Sequence, residues 1–289
     1  MDAERISVGL PSIAGALSYG RRAVDAVDAR LLLREVLDCS AVRIAAYPEE
    51  RLSHDQWAHY QTLVRRREAG EPIAYILGRR EFYGRSFKVS PAVLIPRPET
   101  ELLVERALQA VSGTECPTIL DLGTGSGAIA ITIVLELADR AARVCAVDVS
   151  AASLDLAREN ARLLGANVEF CEGSWFGPLL GRRFDCIVSN PPYIRTDDRH
   201  LEQGDLRFEP PGALSAGVDG LNDLRDIIEE ASAHLNRTGW LFVEHGYDQA
   251  RSVGELLAQA RFEELSAWPD LAGVVRVSGG RFQPYAGPG

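Results

Sequence analysis

Thr118-Ile-Leu-Asp-Leu-Gly-Thr-Gly-Ser-Gly127 is a short apolar run that ends in three alternating glycines. Its first half has the length and apolar character of a buried strand. Glycines directly after a strand let the backbone turn sharply into a helix, and let a ligand approach main-chain atoms that any Cβ would block. Asp121, Gly123, Thr124, Gly125, Ser126 and Gly127 therefore read as a loop that cradles a nucleotide-like ligand. The loop alone leaves alternatives open. Gly123-x-Gly125-x-x-Ala128 also satisfies the relaxed dinucleotide fingerprint of NAD enzymes, and a tight strand-to-helix turn with no ligand has the same pattern.

Moving outward, apolar strands alternate with helical segments from Thr118 onward. A helix follows Gly127, then come the strand Arg143–Val147, a helix from Ala151 ended by Gly165, and the strands Val168–Phe170 and Phe184–Val188. A helix near Leu221 to Leu235 and the strand Trp240–Val243 complete the series. Repeated strand and helix units imply an α/β fold with a doubly wound, largely parallel sheet that binds ligands at the carboxyl ends of its strands. Asp148, at the end of the second strand, is placed to accept hydrogen bonds from both hydroxyls of a ribose. Its plain alternative is an N-terminal charge for the helix beginning near Ala151, with Ser150 as the cap. Upstream, the apolar positions Val27, Leu31, Leu32 and Val36, then Trp57, Tyr60 and Val64 behind the capping-box pair Ser53 and Gln56, predict a small helical module that stops at Gly70. Between Pro72 and Pro98 the aromatic and β-branched texture predicts a hairpin or extended linker rather than helix.

Asn190-Pro-Pro-Tyr193, directly after the strand ending at Val188, carries the chemistry. Asn190 and Pro191 each precede a proline, so both are pushed away from helical geometry, and the two prolines contribute no N–H donors. The loop is stiff and rich in acceptors. The Asn190 side-chain oxygen and the Pro191 carbonyl can together accept both hydrogens of an NH₂ group, while Tyr193 offers a face to the flat group bearing it.

Composition narrows the field. A net charge of −10 opposes tight, non-specific phosphate binding, which favours a protein or small-molecule substrate. Cys39, Cys116, Cys145, Cys171 and Cys186 are odd in number and scattered, with no C-x-x-C pair, and read as reduced thiols of a cytoplasmic protein. No apolar run is long enough for a membrane span, and the stretch Val8 to Leu17 is broken by Pro11 and preceded by Asp2 and Glu4, so neither an anchor nor a signal peptide is expected. His245 and the other histidines stand in no metal-ligand spacing, and no metal is expected. Arg97 and Glu99, in Pro96-Arg-Pro-Glu99, either order the entrance to the second domain or form a solvated pair.

The glycine loop, the acidic residue and the N-P-P-Y tetrapeptide, in this order, resemble class I methyltransferases that modify amino groups. The resemblance is closest to the glutamine methyltransferases of peptide release factors and covers nearly the whole chain. It is carried also by Glu71-Pro-Ile-Ala-Tyr-Ile-Leu-Gly78, Arg80-Glu-Phe-Tyr-Gly84, Leu94-Ile-Pro-Arg-Pro-Glu-Thr-Glu101, Gly204-Asp-Leu-Arg-Phe-Glu-Pro210 and Val243-Glu-His-Gly246. It implies a Rossmann-like class I methyltransferase domain over 99–289 with a seven-strand, mostly parallel sheet. This is preceded by an N-terminal helical substrate-recognition domain over 1–78 and a β-hairpin linker over 79–98. It also implies that Asp121, Gly123 to Gly127, Asp148, Trp175 and Asn190 hold S-adenosylmethionine, with S-adenosylhomocysteine as product. Asn190, Pro191, Pro192 and Tyr193 would hold a glutamine of a class I release factor, with Asn190 and Pro191 as the catalytic groups. No nucleic acid or membrane partner is expected. Trp175 taken alone is equally a core or surface aromatic. The tail Trp268 to Arg281 is only loosely like the family and receives no role. Three rivals remain: an adenine or guanine nucleic-acid methyltransferase, which presents the same planar NH₂; an NAD-dependent oxidoreductase, which gives N-P-P-Y no task; and a non-catalytic binding module.

Overall fold

The computed structural model describes residues 9–283, so that Asp2, Glu4 and Val8 lie outside the described residues. Contacts divide the chain into two compact units, Met1–Gly78 and Arg79–Gly289. The first is helical: α1 (Ile13–Gly20), α2 (Ala26–Leu37), α3 (Ala41–Ala46), α4 (His54–Glu68) and α5 (Ile73–Leu77). The expected capping box opens α4. Ser53 Oγ accepts from Gln56 N at 3.1 Å and Gln56 Oε1 accepts from Ser53 N at 2.8 Å. Asp55 in the first turn and Arg65, Arg66 and Arg67 in the last complement the helix dipole. Ile13, Leu32, Leu33, Tyr60 and Val64 share one buried cluster, and the Tyr60 hydroxyl donates to Ala29 O at 3.1 Å. Gly20 makes room for that ring, since a Cβ there would fall 2.1 Å from the Tyr60 hydroxyl. Val27, counted in the apolar stripe of α2, is instead 65% exposed, and Leu33 fills the core beside Leu32. The structure also places helix α5 where extended chain was expected. Pro72 precedes its first turn, and Gly78 ends it in the left-handed region at φ +68°.

The second unit opens with a hairpin, β1 (Arg79–Phe82) and β2 (Arg85–Lys88). Both turn residues, Tyr83 and Gly84, have positive φ, the geometry that suits the twist of a two-residue hairpin. Phe82 and Phe87 are buried in the core of this second unit. After α6 (Glu101–Ala110) come β3 (Thr118–Leu122), α7 (Ala128–Glu136), β4 (Arg143–Asp148), α8 (Ala151–Leu164), β5 (Glu169–Glu172) and β6 (Phe184–Ser189). Then follow α9 (Asn222–Ala231), β7 (Leu235–Glu244), α10 (Ala250–Gln259), β8 (Phe262–Pro269) and β9 (Val275–Phe282). The seven strands of the larger sheet run in the order β5-β4-β3-β6-β7-β9-β8, parallel except where β9 pairs antiparallel with β7 and β8. The tail left without a role, Trp268 to Arg281, thus supplies the end of the edge strand β8 and most of β9, the antiparallel strand inside it. Gly279 is required there, because a Cβ would lie 2.5 Å from Leu241 O and 2.4 Å from the Phe242 ring.

Strand order reverses between β3 and β6. In an open α/β sheet the crevice at that reversal, beyond the carboxyl ends of the strands, is where ligands bind. The glycine loop leaves β3 at that point and Asn190-Pro-Pro-Tyr193 leaves β6 beside it. The Ser189 hydroxyl donates to Leu122 O at 2.8 Å, fixing the ends of the two strands to each other.

Candidate active site

A cavity of about 360 Å³ opens at this crevice, within the ~300–1,000 Å³ usual for small-molecule sites. The glycine loop forms one wall, with Gly123, Gly125 and Gly127 at φ +71°, +55° and +80°. Asp121 holds the loop from beneath: its Oδ2 accepts from Thr124 Oγ1 at 2.6 Å and from Ala130 N at 3.2 Å. Burial pushes the Asp121 carboxyl up to about 7, against the two hydrogen bonds. At Gly127 a Cβ would come within 2.7 Å of Ile131 Cδ1, so this glycine serves the close start of α7.

Asp148 knits β4 to the loop. One carboxylate oxygen accepts from Gly125 N at 2.8 Å and the other from Ser150 N at 2.9 Å, while Ser150 Oγ caps α8 by accepting from Ser153 N at 3.2 Å. Each Asp148 oxygen keeps a lone pair for a further donor. Burial raises its pKa, opposed by the backbone N–H groups of Ser150 and Gly125. Trp175, at φ +43°, lies over the loop; a Cβ on Gly123 would sit 3.3 Å from its ring. The ring closes on the Cβ-free backbone of Gly123 and lines the cavity together with the Asp148 carboxylate, so a ligand there meets an aromatic neighbour and an acceptor with lone pairs to spare. These residues suit an adenosine.

Asn190 lines the same cavity. Its Nδ2 donates to Thr100 Oγ1 at 3.1 Å, and its Oδ1 is buried with no hydrogen-bond partner. A buried carbonyl oxygen without a donor costs stability, so an acceptor kept free here is set for a ligand. The Tyr193 hydroxyl donates to Glu244 Oε1 at 3.3 Å, and its carbonyl accepts from Gln249 Nε2 at 3.0 Å. Burial, first, then the Glu244 charge raise the Tyr193 pKa. Glu209, almost fully buried, accepts from Ile95 N at 3.0 Å and pairs with Arg97, so the chain entering α6 is clamped to the loop that follows β6.

Two family descriptions match the chain: PrmC N-terminal domain at residues 17–78, and methyltransferase small domain at 98–205. The release factor glutamine methyltransferase of Burkholderia pseudomallei is 50% identical over 265 residues, covering 89% of this chain and 92% of the relative. That of Neisseria gonorrhoeae is 47% identical over 261 residues, covering 90% and 94%. The chain belongs to the release factor glutamine methyltransferase family. Among solved structures, the hMettl16 catalytic domain shares the fold at a TM-score of 0.53 and 15% identity, covering 80% of this chain and 85% of that one. A 16S rRNA methyltransferase of T. thermophilus, solved with AdoMet and guanosine, matches at 0.52 and 19% identity, covering 71% of this chain and 50% of that one.

Within this release factor glutamine methyltransferase fold, Gly123, Thr124, Gly125, Ser126, Asp148, Trp175, Asn190 and Pro192 come together on the cavity wall. Asp121, Gly127, Pro191 and Tyr193 do not line it, and Asp121 and Tyr193 act through the hydrogen bonds given above. Thr100, Glu244 and Gln249 were missed as site residues, although the first two fall inside quoted family-like segments. Nothing in a single sequence joins Asn190 to Thr100 across ninety positions. The Arg97 and Glu209 contact answers the question left at Pro96–Glu99: Arg97 is paired, but with Glu209 rather than Glu99. His245 is fully buried between β7 and β9, its Nε2 2.8 Å from Ser278 Oγ and its Nδ1 2.9 Å from Gly246 O. Burial lowers its pKa and favours the neutral ring. Cys145 and Cys171, far apart in sequence, bring their sulfurs to 3.8 Å across β4 and β5, and all five cysteines are free thiols. Glu169 lies beside them within ligand reach, but Arg182 holds both its oxygens at 2.9 and 2.8 Å. Among the described residues no helix is long and apolar enough to cross a membrane.

Proposed function

We propose that this enzyme transfers a methyl group to the side-chain amide nitrogen of the glutamine in the Gly-Gly-Gln motif of class I peptide chain release factors. The observation that carries this reading is the free, buried Asn190 Oδ1 beside the proline-locked turn, in a family whose members are named for that substrate. S-adenosylmethionine is the methyl donor, and when bound it supplies an electrophilic methyl carbon and leaves as S-adenosylhomocysteine. Gly123 to Ser126, Asp148, Trp175 and Asn190 would hold it, with Asp121 and Gly127 supporting the loop.

An amide nitrogen is a poor nucleophile because its lone pair is delocalised into the carbonyl, so activation rests on positioning. Asn190 Oδ1 and the Pro191 carbonyl accept the two N–H hydrogens and turn the lone pair toward the cavity. The same acceptors stabilise positive charge as it develops on nitrogen. The proton lost from nitrogen leaves after transfer, which removes the need for a strong base. Tyr193, with Pro192, shapes the slot for the carboxamide. The Met1–Gly78 unit contributes recognition of the release factor, since a short loop alone offers little specific area. A cytoplasmic setting, with no metal and no nucleic-acid partner, completes the proposal. The free thiols and the acidic balance support it. Incubation with methyl-labelled cofactor and, in parallel, release factor, DNA or rRNA tests it: label is expected in the release factor, and label only in a nucleic acid refutes the reading.

A further inference from the structure

Proline carries no N–H, so the Asn190-Pro-Pro-Tyr193 turn has no backbone donors at Pro191 or Pro192 to brace it, and its aim is set where its two ends are held. At the leading end Ser189 Oγ donates to Leu122 O at 2.8 Å. At the trailing end stands Gln249, the residue before α10, which is 8% exposed and does not line the cavity. Its Nε2 lies 3.0 Å from Tyr193 O, 3.2 Å from Gly220 O and 3.4 Å from Asp219 O, and its Oε1 accepts from Gly246 N at 2.8 Å. One side-chain amide thus joins three segments: the turn, the loop before α9 and the loop after β7. Gly220, at φ +72°, lets them meet, since a Cβ there would fall 2.4 Å from Tyr193 O and 2.9 Å from Gln249 Nε2.

We propose that Gln249 is a positioning residue for methyl transfer: its amide, packed against Gly220, fixes the Tyr193 carbonyl and thereby the direction from which Asn190 Oδ1 and the Pro191 carbonyl meet the substrate amide. The polarity of the surroundings admits one orientation. Three carbonyl oxygens face the amide nitrogen and one N–H faces its oxygen, so a flipped amide would set oxygen against three oxygens. Between Tyr193 and Asn190 stand two prolines, each with its own φ fixed and the residue before it restricted. A shift at Tyr193 O therefore has few torsions to be absorbed in before it reaches Asn190. Misplacing a reacting group by about 1 Å can cost ~10²-fold in rate, so a residue outside the cavity can govern turnover.

That role presupposes the assignment of Asn190 made above, and the test separates the two. Gln249→Met keeps the length of the side chain and removes its hydrogen bonds; Gln249→Glu keeps the shape but, when ionised, turns an oxygen toward the three carbonyls. At a temperature where both are folded, each is expected to lower kcat roughly tenfold or more, with little change in KM for a Gly-Gly-Gln peptide or in calorimetric affinity for S-adenosylhomocysteine. Gly220→Ala reaches the same junction from the other side and is expected to give the same split. Phe262→Leu, in the edge strand β8, lowers stability away from the junction and is expected to keep the parent kcat. Parent kcat in folded Gln249→Met and Gln249→Glu, alongside an inactive Asn190→Ala, overturns the proposal. A loss of cofactor affinity as deep as the loss of kcat, or an equal loss of kcat in Phe262→Leu, also overturns it, because either marks general loosening. Parent turnover in Asn190→Ala overturns the underlying assignment instead.

Discussion

At the scale of single residues, the site depends on oxygen atoms kept in reserve. Asn190 Oδ1 and the spare lone pairs of Asp148 are acceptors that a purely structural role would have used up. Asn190→Ala is expected to lower kcat by ~10²–10³, the usual effect of losing one preorganised contact in a reacting site, while the protein stays folded and binds cofactor. Asp148→Ala is expected to weaken cofactor binding by roughly tenfold or more, as loss of hydrogen bonds to a charged group does; calorimetry with S-adenosylhomocysteine reads this, and unchanged affinity leaves Asp148 as a link between β4, the loop and α8 only. Glu244 gives a pH signature. Burial moves its ionisation from 4.5 up to about 7, with Thr100, Tyr193 and Arg276 pulling the other way and Glu99 adding to the rise. Between those values the unfolded chain gives up the proton that the folded chain retains, so this residue's contribution to stability is fully present below about pH 4.5 and falls as pH rises through 7. Glu244→Gln removes that loss. Urea unfolding should find the variant more stable than the parent at pH 8, by up to about 3 kcal/mol, and equal to it near pH 4; a constant difference across pH would contradict the burial account. The Tyr193 hydroxyl is committed to Glu244, a partner fifty-one positions away that no local pattern in the sequence announces.

Among the elements, legibility followed locality. The capping box of α4, the αL glycine that ends α8 and the buried strands β3, β4 and β6 are written in neighbouring residues, and each was readable without coordinates. Helix α5 was not. Ile73-Ala-Tyr-Ile-Leu77 is too short to show a helical period, and its apolar residues look like strand. Strand β9 was obscured by Gly279 and Gly280, which weaken a strand by propensity, yet Gly279 is set by the Phe242 ring that packs where a side chain would be. The glycine loop was legible as a loop, but its brace was not. Asn160 in α8, buried, donates to Lys88 O at 3.0 Å and Ser126 O at 2.9 Å and accepts from Lys88 N at 2.8 Å, joining the β1–β2 hairpin to the loop. Asn160→Ala strands one buried and two part-buried backbone groups and should cost on the order of 2 kcal/mol, seen as a lower urea midpoint. A loss below about 0.5 kcal/mol, the scale of a surface change, would deny it that role.

Across the whole molecule, two units each have their own core: Leu32, Leu33, Tyr60 and Val64 in the first, and the two faces of the sheet in the second. The cavity and every residue given a chemical role lie in the second. Recognition of a large substrate is the role we propose for the first. Removing residues through Gly78 is expected to depress methylation of full-length release factor far more than that of a short Gly-Gly-Gln peptide, compared by kcat/KM; an equal effect on both substrates would remove the recognition role. The proposed activity depends on the grip of an oxygen-rich turn on one carboxamide. Peptide mass spectrometry of release factor after incubation with cofactor, using the parent enzyme and Asn190→Ala in parallel, tests it most directly. One added methyl on the nitrogen of the loop glutamine, absent with the variant, is the expected result; a methyl on any other residue, or the same yield from the variant, contradicts it.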